Sequence, residues 1–412
     1  MPRAPSPWID SPAWDVVFIF SGLWAPLLLM LGYTAVHGAS HRLSPDTPSV
    51  HDAPQLFWLF SALSVLHRLS SIYTVVVSPV FKSELSSNPR RYVYVPLAIL
   101  VGCIVLSFAF VFHPLFAFTS TLRGQLWAFF VLASVMILWE RWHFCAQEFG
   151  VLSIYRARTQ QFAPADRRFD RWYVVALMLG VNMVMYVCLG FRDEREVLFY
   201  GTALAHVTGP ILDSIAAVAC ALAMALMTWA VARELRHQQR SLPKLAFYVL
   251  VGSHSLVLYL YPRALGLFFM CYVFHHWMVA IGLFNRITLN SYTDARGFRR
   301  LGRYVTRVGP FLVFALLCEL FFAPLNVSAN LTPLPSVTSF EGASIAARVS
   351  AALVIGALFA FNFLHYYYDR CMYSFSMPGV RKAVVPLLFG MPASEPQNDA
   401  RPVANDRQLG AA

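Results

Sequence analysis

Runs of apolar side chains, broken by short polar connectors, set the pattern of this chain from residue 14 to residue 390. The runs fall at about 14–36, 55–80, 92–117, 125–155, 171–190, 209–232, 245–262, 264–286, 304–325 and 346–373. Each is close to the ~20 residues that an α-helix needs to cross a hydrocarbon core of about 30 Å. The pattern predicts an all-α, polytopic integral membrane bundle of about ten transmembrane helices. It divides the chain into an N-terminal segment, 1–13, a membrane domain, 14–390, and a tail, 391–412, whose Pro, Ala, Asn and Asp content predicts disorder.

Composition agrees with that reading. The 412 residues are 58% hydrophobic and 13% charged, about half the charge of an ordinary soluble protein. The net charge of +11 does not indicate nucleic acid, because the bases cluster in connectors between apolar runs. Connectors 82–91, 156–171, 233–244 and 286–303 are rich in Arg and Lys, and the alternate connectors are poor in both. Alternation of this kind follows the positive-inside rule and predicts cytoplasmic termini. Arginine outweighs the three lysines, Lys82, Lys244 and Lys382, a bias that hints at a GC-rich bacterial genome, and a bacterial inner membrane is the expected location. The seven cysteines are scattered through apolar runs without a CxxC pair and read as small core residues.

Polar residues inside the runs carry the chemistry, because an ionisable group in hydrocarbon is costly and marks function by default. His67, His143, His275, His276 and His365 lie on the second, fourth, eighth and tenth runs. All four runs cross in the same direction under the predicted topology, and the histidines sit at or below mid-membrane. Three of them share a local spacing: Ser64–His67–Ser71, Glu140–His143–Gln147 and Asn362–His365–Asp369. Positions three before and four after a histidine fall on its own helical stripe. The five histidines form a candidate metal-ligand pool. Glu140 and Asp369 are candidate carboxylate ligands or bases, and Gln147 and Asn362 would orient ligands or bind substrate. His37, His41 and His51 form a separate group near the first outer connector, where solvation is the simpler reading. Arg141 and Glu148 are expected to pair or snorkel near the cytoplasmic surface.

In the kind of residue it places in the membrane, the chain resembles the histidine-rich integral-membrane oxygenases, desaturases and hydroxylases. Those families group histidines as HxxxH and HxxHH. Here the single HxxxH is His37/His41, and HxxHH is absent. The resemblance implies an iron-dependent oxidation, with one or two irons, of a lipid or other apolar substrate, served by a soluble electron donor on the cytoplasmic side. Imidazole with carboxylate also suits zinc or copper, and two facing histidines can hold haem b. A proton-coupled transporter using the same His, Glu and Asp residues is the alternative from another class.

Overall fold

The computed structural model describes residues 6–25, 28, 54–76, 81–112, 122–185, 188–189, 202–260, 265–291, 302, 305, 308–313, 315–317, 344–373, 375 and 377–390. The described elements are helical, and no strand occurs among the described residues. In chain order they are α1 (Pro12–Phe18), α2 (Pro54–Val76), α3 (Lys82–Ser87), α4 (Val95–Phe112), α5 (Leu122–Arg158), α6 (Pro164–Val175), α7 (Thr202–Arg236), α8 (Leu242–Leu260), α9 (Leu265–Asn290), α10 (Ile345–Met372) and α11 (Pro378–Leu388). One π-helical turn, Arg90–Tyr94, precedes α4, and another, Ala176–Val181, extends α6.

Four stretches are long and apolar enough to cross a membrane: Arg90–Ala109, Pro210–Arg236, Leu242–Leu260 and Arg348–Met372. They mark the chain as a membrane protein, and they coincide with four of the apolar runs. Their outward faces are apolar and exposed, as at Val105, Leu106, Val218 and Leu222. In water such a surface would drive aggregation, whereas lipid covers it at no cost.

The first run departs from expectation. Instead of one helix from residue 14, α1 spans seven residues and ends at Ile19, followed by a bend and a second helical turn at 21–25. Asp15 ties this element down. Its carboxylate accepts from the backbone N–H groups of Ile9 (3.1 Å) and Asp10 (3.3 Å) and from the Tyr155 hydroxyl (2.7 Å). A fully buried carboxylate held by three donors anchors the N-terminal segment to the end of α5. The segment is therefore packed structure, with Ile9 wholly buried. The predicted tail and the outer histidines His37, His41 and His51 lie outside the described residues.

Around the site, α10 packs along α4 and α2, and α9 packs against α2, α1 and α11. Gly356 permits the first of these contacts, since a Cβ there would sit 2.8 Å from the Ile104 Cα. These packings bring α2, α9 and α10 to one axis, and the middle of α5 completes the ring.

Candidate metal centre

His67 from α2, His143 from α5, His276 from α9 and His365 from α10 meet in the bundle interior, all four buried. One ring nitrogen from each lies within 4.8 Å of the other three. The rings pack edge to face: His67 is 4.2 Å from His365 and 4.6 Å from His276, and His143 is 4.8 Å from His276, centroid to centroid. Ligands of a first-row ion bonded at about 2.0–2.2 Å stand roughly 3–4.3 Å apart, so small ring rotations bring the four nitrogens onto one ion. The buried group could hold a metal ion.

Hydrogen bonds fix the direction in which the rings present their lone pairs. The Gln147 amide nitrogen donates to the His276 backbone carbonyl at 3.2 Å. Its Oε1 then faces His276 Nδ1, which must carry the proton it donates. His276 Nε2 is left with a lone pair, 3.2 Å from His143 Nε2. That separation is close to the ~3.3 Å edge of a tetrahedron with metal bonds of about 2.0 Å. On the other side, Ser71 Oγ stands 3.1 Å from His365 Nδ1. Asp369 spans two of the histidines, with Oδ2 3.4 Å from His143 Nε2 and Oδ1 3.8 Å from His365 Nδ1.

Both His67 nitrogens and His365 Nε2 are buried without a hydrogen-bond partner among the described residues. An unmet buried polar atom costs about 1–3 kcal/mol, and each such case calls for an explanation. A cation would account for His365 Nε2 and for one His67 nitrogen, since a neutral imidazole offers a single lone pair.

His275 does not join the cluster, which corrects its place in the ligand pool. Its Nδ1 accepts from the Gly22 backbone N–H at 3.2 Å and lies 3.0 Å from Ser21 Oγ. A backbone N–H can only donate, so Nδ1 holds a lone pair and the proton of the neutral ring is on Nε2. That nitrogen has no lone pair for a metal, and it faces Glu148 Oε1 at 3.4 Å. Adjacent histidines on one helix point to different sides, and α1's extension claims the first. Gly22 leaves room for the contact, because a Cβ there would lie 3.1 Å from the His275 Cγ and 2.9 Å from the Leu250 Cδ1.

Two further expectations change. Arg141 and Glu148 are not surface groups: they are 3% and 1% exposed. The Arg141 guanidinium lies 5.9 Å from the centres of both the Phe144 and Tyr272 rings. Glu140 is half-buried, and the charges around it are Arg141 and Arg68 rather than the histidines. Asn362 is half-buried and touches no member of the cluster among the described residues. Tyr366, which no spacing signalled, places its ring 4.6 Å from the His143 ring.

Compared with protein-family models, with curated proteins and with solved structures, the chain matches none. The site stands on its own geometry.

Proposed function

We propose that the chain is a polytopic bacterial inner-membrane metalloenzyme, crossing the bilayer about ten times with both termini cytoplasmic, that oxidises a lipid or other apolar substrate at an iron held by His67, His143, His276 and His365. The observation that carries the reading is the convergence of four buried imidazoles from four helices, with nitrogens left unsatisfied in the interior. Four nitrogen ligands fill the tetrahedral shell that zinc prefers, and hydrolytic zinc sites keep one position open. Iron accepts up to six ligands, so the same four leave room for oxygen and substrate beside it. The rings stand 4.2–5.1 Å apart, which leaves no slot for a porphyrin plane and argues against haem b.

Asp369 is the acid–base group of this reading, since its carboxyl lies beside two of the ligands, and Glu140 drops out of that role. Inserting one oxygen atom of O2 into a C–H bond sends the second to water and consumes two electrons and two protons. A soluble reductant on the cytoplasmic side would provide the electrons. The transporter alternative uses the same histidines and gains no separate observation.

The test is metal content in the purified full-length protein. About one iron per chain is expected, falling to background in both His143→Ala and His365→Ala. Unchanged content in the two variants removes the site. Stoichiometric zinc in place of iron keeps the site and removes the oxidation.

A further inference from the structure

A second surface is defined by how the chain disposes of its acids. Segments 156–171 and 233–244 contain three, Asp166, Asp170 and Glu234, and all three are buried. Asp170 meets Arg156 at 3.1 Å and Lys244 at 3.3 Å, and Lys244 meets Glu234 at 3.2 Å. Asp166 accepts from Arg233 at 2.8 Å and lies 3.4 Å from His237. Burial alone would raise the Asp166 carboxyl, but the Arg233 hydrogen bond and His237 outweigh it and hold the group below its ordinary value.

Every local carboxylate is thus spent on a base of the same two segments. Of the remaining arginines, Arg167, Arg168, Arg236 and Arg240 are exposed, as is Arg171, and none of these meets a carboxylate among the described residues. The Asp166–His237 contact joins their two segments, since Arg167 follows Asp166 and Arg236 precedes His237. Arg167 lies near enough to Arg156 for their like charges to oppose each other. The same connectors expose apolar side chains, with Phe162 72% and Leu242 66% accessible.

Depth decides the occupant. One candidate span ends at Arg236 and the next begins at Leu242, so the arginines stand where two membrane helices leave the hydrocarbon. That is head-group level, where cations and large apolar side chains together match an anionic lipid. A soluble electron donor fits less well. Arg156 lies thirteen residues along α5 from His143, about 20 Å by helix rise, so a partner docked here would stand far from the metal.

We infer that Arg167, Arg168, Arg236 and Arg240 form a binding site for the phosphate head groups of anionic phospholipids, independent of the chemistry at the histidines. Each arginine meets phosphate oxygens while Phe162 and Leu242 rest on the acyl chains. The test uses the full-length protein reconstituted in mixed phosphatidylglycerol and phosphatidylcholine vesicles, with spin-labelled lipid reporting the protein-bound fraction. Phosphatidylglycerol should be preferred by at least about fivefold, the factor that one arginine contributes near an anionic surface, and the preference should shrink in high salt. The variant R167Q/R168Q/R236Q/R240Q should lose it while keeping the wild-type unfolding temperature and metal content. A control, R90Q/R381Q/K382Q, which neutralises exposed bases elsewhere, should retain it. Equal binding of both lipids, a preference that survives the fourfold change, or equal loss in the control would overturn the inference. The last result would mean diffuse attraction rather than a site.

Discussion

Ser71, Gln147 and Asp369 each stand four positions after a cluster histidine, and each contacts a cluster histidine on another helix. Ser64, Glu140 and Asn362, three positions before, do not take this part. Both sets share the histidine's helical stripe, so spacing alone does not separate them. Gln147 is the most exacting of the three, since it meets both the backbone carbonyl and the Nδ1 of His276. Gln147→Ala should therefore weaken metal binding by about tenfold to a hundredfold, the usual effect of removing the partner that orients a ligating histidine. Competition against a chelator at fixed pH measures it, and an unchanged affinity would mean that Gln147 does not set the His276 tautomer. Four of the five histidines picked out by spacing and depth converge in the structure. His275 was not distinguishable from His276, because the choice rests on a backbone N–H at Gly22 that is 253 residues away. Glu148 was misread for a related reason: its burial rests on a partner distant in sequence, His275, whose Nε2 lies 3.4 Å from its Oε1.

At the scale of elements, apolar length identified the membrane helices well where the run is uniform, as in α4, α7, α8 and α10. It failed at the first run, where α1 ends at Phe18. Charge in the connectors carries a double meaning. Arg156, Arg233 and Lys244 count as positive-inside marks in the sequence, but in the structure each is consumed by Asp166, Asp170 or Glu234. Lys244 is the hub that holds the start of α8 to α6 and α7. It also donates to Gln161 Oε1 at 2.8 Å, while Gln161 donates to Glu234 at 2.8 Å. Removing one partner from a buried ionic network costs about 3–5 kcal/mol, because the remaining charges stay desolvated. Lys244→Ala is expected to lower the thermal midpoint of the detergent-solubilised protein sharply. A shift no larger than that of an exposed control, Lys382→Ala, would show the network to be dispensable.

The whole molecule joins two requirements that oppose each other in a membrane. Its outward helix faces are apolar and exposed, and its interior buries five imidazoles, the carboxylates of Glu148 and Asp369, and Arg141. Helices that would otherwise slide against one another are tied at a single level. α2 and α10 join through Ser71 and His365, α5 and α9 through Gln147 and His276, and α5 and α10 through His143 and Asp369. A metal at that level would be the fourth tie and would draw all four helices together. X-ray absorption at the metal edge of the purified full-length protein tests this most directly. The account predicts a first shell of nitrogen and oxygen only, at about 2.0–2.2 Å, with the outer-shell scattering of four imidazole rings. A sulfur ligand, a single imidazole, or protein that binds no metal at all would contradict it.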